Sequence, residues 1–418
     1  MAKTYRTVQG DMWDSIAKIL YGSESGMTKL LEANGDYADI VVFQSGITLV
    51  VPDWEAPKTS RLPAVEAFMT PRQVVPLVKY EGTDISEDLA PHLKSISFTD
   101  NMSGYADDLT IRLEDRNGLW ESDWFPDRGA TLDVSYVTLN WKNLADGLQI
   151  MVAGLFAIDT IEGSAPPREI ELKATSIPES NELRGVDRTR SWEKAELKTI
   201  ANDVATGAGL ELVYDSEENP TLDRAEQTEQ SDLSFLLKLC EDNGLALKIT
   251  NEQVVIFNET DYEQVEPAIT IVKPGTIYEV QEGMEYVQNI TGYRMHAVTR
   301  DIYKACHVKN SDSDTGETIE ATFADPGKTE GKTLEVKEQV KTVSEAEKLA
   351  KKRLREKNKD EWTMSVDMPG DFRMLAATTV NVLGFGKFDG KYTITSAKHQ
   401  ISGGYTTSVE MRRCLNGY

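Results

Sequence analysis

The sequence predicts a mainly β protein with α+β parts, and three observations carry that reading. Apolar residues alternate with polar ones at period two through much of the stretch from Val74 to Ala174, and β patterning resumes from about Ala268. Turn-forming residues such as Asn117-Gly118 and Asp127-Arg128-Gly129 separate the alternating runs. Between residues 178 and 259 the alternation gives way to two amphipathic helical stretches and a hairpin.

The chain has 418 residues, more than one hydrophobic core usually organises, so several domains are expected. The first is residues 1–53, whose order reads strand, helix, helix, strand. Tyr5 to Val8 is β-prone, Gly10 breaks the run, and Asp11 is placed to cap a helix with Trp13, Ile16, Ala17 and Leu20 on one face. Met27, Leu30 and Leu31 mark a second helix that Asn34-Gly35 stops, and Ile47 to Val51 returns as a strand. The expected mini-core is Trp13, Ile16, Leu20, Leu31 and Val50.

Residues 54–72 hold Pro57, Pro63 and Pro71 among small and charged residues, the composition of a linker. In residues 73–177 the alternating sets Ile96/Phe98, Leu109/Ile111/Leu113, Leu132/Val134/Tyr136 and Ile170/Leu172/Ala174 predict half-buried antiparallel strands of a barrel or sandwich. Residues 178–259 read as a small α+β insert. One helix carries Leu197, Ile200, Ala201, Val204 and Ala205, and another carries Leu233, Leu236, Leu237 and Cys240 up to Asn243-Gly244. A hairpin around Asn251 follows them. Residues 260–418 return to strands, interrupted by a helix from about Ser344 to Lys357 with Ala346, Leu349, Ala350 and Leu354 on its apolar face.

The formal net charge of −24 argues against a nucleic-acid-binding surface, which rests on Lys and Arg neutralising phosphates. Hydrophobic residues make up 40% and charged residues 27%, as in soluble proteins, and no run approaches the apolar length that crosses a bilayer. The N-terminus enters polar sequence without an apolar signal region. Cys240, Cys306 and Cys414 are too few and too scattered for a disulfide framework or a CxxC site, so buried thiols are expected.

Catalytic and metal-ligating patterns are missing from the sequence. His92, His296, His307 and His399 form no HExxH pair, and no GxSxG motif occurs. Asp312 and Asp314 begin like a calcium loop, but Gly316 comes one position early and Phe323 stands where the bidentate Glu belongs. Gly384-Phe385-Gly386 with Gly390 joins two strands, so it offers no helix N-terminus to a phosphate. No catalytic, cofactor or metal site is expected. Trp120, Trp124 and Phe125 cluster in one loop and suit either an interface anchor or a plug at a barrel end.

Several of these motifs carry family resemblances. Gln9-Gly10-Asp11, Ile16-Ala17, Tyr21-Gly22, Leu31-Glu32-Ala33-Asn34 and a closing Val-Pro-Asp resemble a LysM module, more narrowly the tail protein X variant of contractile tails. Asp115 to Trp120, then Gln230 to Leu236 with Asn243-Gly244, then Gly384 to Gly386, Asp389 to Tyr392, His399 and Gly403 to Arg412 resemble, in order, the late-control protein D family of baseplate hubs. One departure is Ala376-Ala377-Thr378, where that family usually places a glycine before the strand.

The resemblance implies two tube-forming β-barrels, at 73–177 and 260–418, and a non-enzymatic hub. Three copies would form a ring adapting the threefold central spike to the sixfold tail tube. The implied partners are copies of the chain, the spike protein, the tube or tube-initiator protein, the tape-measure protein, and wedge or sheath proteins reached through the LysM-like unit. Assembly in the bacterial cytoplasm into a virion tail or a bacteriocin-like particle is expected, with neither specific nucleic-acid binding nor membrane insertion. The alternative is a peptidoglycan-binding or wall-degrading tail protein acting through the LysM-like unit.

Overall fold

The computed structural model describes residues 3–8, 12–21, 27–37, 40, 43–53, 72–127, 129–143, 145–177, 182–311 and 318–418. The expected cap at Asp11, Gly22, the proline-bearing linker apart from Arg72, Arg128, and the calcium-loop positions Asp312, Asp314 and Gly316 lie outside the described residues. The chain divides into two compact units, Met1–Thr70 and Pro71–Tyr418.

In the first unit, strands Lys3–Arg6 and Thr48–Val51 pair antiparallel, with helices Trp13–Tyr21 and Met27–Glu32 between them. Trp13, Ile16, Leu30, Phe43, Leu49 and Val51 are the buried core, and Leu20 and Leu31 pack against it half-buried. Val50 is not part of that core: its side chain is 43% exposed. A strand alternates faces at every residue, so once Leu49 and Val51 point inward Val50 must point outward. Asn34 fixes this register, because its side-chain amide donates to the Leu30 and Val50 carbonyls, each at 2.8 Å, and its Oδ1 accepts from the Val50 N–H at 2.8 Å.

The second unit is built on one 14-stranded sheet. One half contains strands Gln73–Tyr80, Leu93–Asn101, Asp108–Glu114, Thr131–Leu139, Leu148–Ser164 and Glu169–Thr175, all neighbours antiparallel. It wraps a core that includes Ile96, Phe98, Leu109, Ile111, Leu132, Tyr136, Ile158 and Leu172. The other half contains Ile269–Val272, Glu285–Val287, Gly292–Ala297, Trp362–Pro369, Thr379–Leu383, Gly390–Ile401 and Tyr405–Arg413 around Ile271, Met364, Val366, Val380, Tyr392, Ile394 and Val409.

A single strand, Gly390–Ile401, serves both halves. Gly390 to Thr393 pair with Thr379–Leu383, and after a register shift between Ile394 and Ser396 the segment Ser396 to Ile401 pairs with Leu93–Asn101. The two halves are therefore barrel-like but continuous. Among the described residues, ladder hydrogen bonds close neither half into a ring; the path runs from Glu285–Val287 at one edge to Thr83–Asp84 at the other.

The α+β insert packs helices Leu197–Gly207 and Asp232–Asn243 on strands Glu211–Asp215, Ala246–Thr250 and Gln253–Phe257 around Ile200, Val204, Leu236, Leu247 and Ile256. Ser231 caps the second helix through the Ser234 N–H, and Gly244 ends it in the left-handed conformation, φ +74°. The insert also has an antiparallel ribbon, Asp187–Glu196 with Thr221–Ser231, whose charged sequence hides its strand character. Lys248 ties the insert to the first half through ion pairs to Asp100 and Asp107.

A second α+β layer interrupts the other half. Helix Val343–Asn358 lays Ala346, Ala350 and Leu354, the expected apolar face, on strands Tyr303–Ser311, Thr318–Ala324 and Lys332–Val336. The thiols of Cys240, Cys306 and Cys414 are free and buried, as expected. No helix among the described residues is long and apolar enough to cross a membrane.

Candidate functional site

The aromatic loop Asp115 to Pro126 forms a structured mouth at one end of the first β half. Asp115, 1% exposed, sets the turn: its N–H donates to the Arg168 carbonyl at 3.0 Å and its Oδ1 accepts from the Trp120 N–H at 3.1 Å. Gly118 sits at φ +68°, where a side chain would be strained. The Trp124 N–H donates to the Leu119 carbonyl at 2.9 Å, folding the loop back on itself, and the Asp127 N–H donates to the Tyr80 hydroxyl at 3.0 Å.

This folding brings Trp120, Trp124 and Phe125 to one place. Trp120 is 6% exposed and stands edge-on to Trp124 with ring centres 5.4 Å apart, while His92 contacts both rings edge-on at 6.3 and 5.8 Å. Trp124 and Phe125 remain 40% and 52% exposed. Together with Val78, Ile85, Leu89, Ile111, Leu132 and Ile158 they line a mainly apolar cavity of about 360 Å³ that opens from the core to the surface. Trp120 thus lies buried in the wall of the cavity, and Trp124 and Phe125 stand at its opening.

A second, polar cleft of about 260 Å³ lies between the two β halves. Asp371, 3% exposed, is its centre: Lys142 donates to it at 2.6 Å and Arg373 grips it from Nε and Nη2 at 2.9 and 2.6 Å. Arg72 lies over the Trp141 ring, 5.1 Å from its centre, and burial lowers the Lys142 ammonium from its ordinary value although Asp371 opposes the shift. Sequence reasoning did not find this cleft, since its residues come from positions 72, 142 and 371, with no local motif joining them. Asp371, Lys142 and Arg373 are paired with one another, which suits fastening the halves rather than chemistry. Among the described residues no group of His, Cys, Asp and Glu is arranged to hold a metal ion.

His399, quoted among the motifs, is fully buried where the shared strand passes the first core. Its Nε2 donates to the Met374 carbonyl at 3.0 Å and its Nδ1 accepts from the Tyr405 hydroxyl at 2.6 Å. Burial pushes its pKa down to about 4, so the ring is neutral and structural.

Residues 3–60 match the Phage Tail Protein X family. Over 172 residues the chain is 31% identical to a protein of Escherichia phage P2 named "Probable baseplate hub protein". This chain is similar to phage baseplate hub proteins. The match spans 40% of this chain and 41% of the length of the P2 hub protein. In fold, the chain is similar to the 43 kDa tail protein of prophage MuSo2 from Shewanella oneidensis, with a TM-score of 0.60 at 13% identity over 82% of this chain and 99% of that one. A tail protein of Neisseria meningitidis MC58 aligns with a TM-score of 0.59 at 16% identity over 81% of this chain and 96% of that one. At these identities the structural likeness speaks for the fold alone.

Proposed function

We propose that this chain is a non-enzymatic structural hub of a contractile tail baseplate, with residues 73–177 and 260–418 as its two barrel regions. The observation that carries the reading is the shared strand Gly390–Ile401, which joins two barrel-like halves into one sheet in a chain similar to baseplate hub proteins. A protein made of two such halves presents six when three copies assemble. That arithmetic suits a ring between a threefold spike and a sixfold tube.

Spike, tube or tube-initiator, and tape-measure proteins are the proposed axial partners. The N-terminal unit, matching a tail-protein family, is the proposed dock for wedge or sheath proteins, with residues 54–72 as tether. The acidic composition would favour a lumen that repels DNA. Light scattering on the chain mixed with its spike protein tests the reading: three copies per complex are expected, and a chain that stays monomeric beside the spike overturns it. The N-terminal unit's LysM-like pattern supports a second reading, binding to peptidoglycan. Sedimentation with purified sacculi separates the two, because a hub that uses the unit only for docking stays in the supernatant.

A further inference from the structure

We propose that the aromatic mouth is a socket for a peptide segment of a partner protein that presents a large apolar side chain beside Lys or Arg. Three features of the mouth converge on that chemistry. The cavity of about 360 Å³ reaches the core side chains Ile111, Leu132 and Ile158, and its size and apolar lining match sites that bury a ligand group. Trp120 lines it, and among the described residues its buried indole Nε1 has no hydrogen-bond acceptor, leaving a donor that a peptide carbonyl would satisfy. Asp88 and Asp123 also line the cavity, are exposed, and have no ion-pair partner among the described residues.

A peptide supplies all three missing pieces at once: a side chain for the cavity, a carbonyl for Trp120, and a cation for the two carboxylates. An apolar small molecule would fill the cavity and leave the carboxylates unanswered. A second copy of a chain carrying −24 would meet them with its own acidic surface. The exposed rings of Trp124 and Phe125 would close on the anchor residue, the position from which aromatic side chains dominate interfaces. The proposal does not rest on the ring or the spike, and it holds or fails for the full chain by itself.

Fluorescence anisotropy of a dye-labelled peptide, Lys-Arg-Leu-Phe-Lys-Arg, against the full chain tests it. The double variant Trp124→Ala/Phe125→Ala is expected to weaken binding by more than about 10-fold. Asp88→Asn/Asp123→Asn is expected to weaken it by about 5-fold at low salt, a difference that vanishes near 0.5 M salt as screening removes the charge contribution. Ile85→Trp, which fills the cavity and leaves both carboxylates in place, is expected to abolish binding. Coincident thermal melts establish that the variants fold, and the Asn pair changes only exposed groups.

Three results overturn the proposal. A peptide with Ser in place of Leu and Phe binding equally well would show mere attraction to an acidic protein. Displacement by indole together with indifference to the Asn pair would make the mouth a small-molecule pocket. Self-association by light scattering that Trp124→Ala removes would make the occupant a second copy.

Discussion

Glu263, with 2% of its side chain exposed, accepts two hydrogen bonds from Arg355, at 2.7 and 3.1 Å. Arg412, 3% exposed, completes the cluster by pairing with Glu263 and donating to Glu259 at 2.8 Å. Three distant segments, the helix Glu259–Gln264, the helix Val343–Asn358 and the last strand, are fastened at this one point. Burial in isolation would raise the Glu259 carboxyl, but Arg412, Lys359 and Arg355 outweigh it and hold the carboxyl below its ordinary value.

Removing one arginine leaves a buried carboxylate underpaired. Arg412→Met is expected to cost about 3–5 kcal/mol, measured by urea unfolding. Because the Glu259 pKa is lowered in the fold, its contribution is present above the unfolded pKa and is lost as pH falls through the folded one. Stability should therefore drop more steeply on acidification below about pH 4.5 in the wild type than in Glu259→Gln.

Ala377 stands at φ +65°, in the left-handed region, with its N–H donating to the Ile394 carbonyl at 2.9 Å. The left-handed region is one that a residue with a Cβ enters at a cost and glycine does not. Ala377→Gly is expected to stabilise the protein by about 1 kcal/mol, since the relieved strain exceeds the added chain entropy. A rise in the urea midpoint at unchanged slope checks it.

Asn34→Ala removes all three side-chain hydrogen bonds that hold the Val50 strand in register. A loss of about 2–3 kcal/mol is expected, large for so small a unit. Calorimetry should show a lowered transition for residues 3–53 while the transition of the larger unit stays where it was.

His399 gives a second pH signature. Its folded pKa of about 4 lies below the usual histidine value, so the unfolded chain binds a proton first as pH falls. Stability should decline between about pH 6.5 and 4 by roughly 2–4 kcal/mol in total. His399→Gln, which keeps a donor for Met374, should flatten that decline even if its stability at pH 8 is lower.

Much of the fold was legible because burial imposes a period. The inward sets at Ile96/Phe98, Leu109/Ile111/Leu113 and Ile170/Leu172/Ala174 are all buried, and the long helix shows its expected face. Strand Leu148–Ser164 gave no such signal: Met151 to Ile158 is nearly all apolar around Gly154, and a register shift opposite Val134 and Ser135 disrupts the alternation. The ribbon Asp187–Glu196 escaped for the opposite reason, having charged residues at six of its ten positions and no buried one. Val50 was misplaced because in Ile47-Thr48-Leu49-Val50-Val51 adjacent apolar residues fit either face, and Asn34 makes the choice.

The same division holds for the candidate site. The sequence by itself determined the mainly β character, the helices that carry Ile16, Leu30, Ile200, Leu236 and Ala350, the turn at Asn117-Gly118 and the crowding of Trp120, Trp124 and Phe125, since each depends on local spacing and backbone preference. Only the tertiary structure decided that Trp120 is buried while Trp124 and Phe125 stay exposed, that Asp88 and Asp123 line the same cavity, and that one strand joins two barrel-like halves. Those relationships depend on which distant segments exclude water from one another, and no local period in a chain records that.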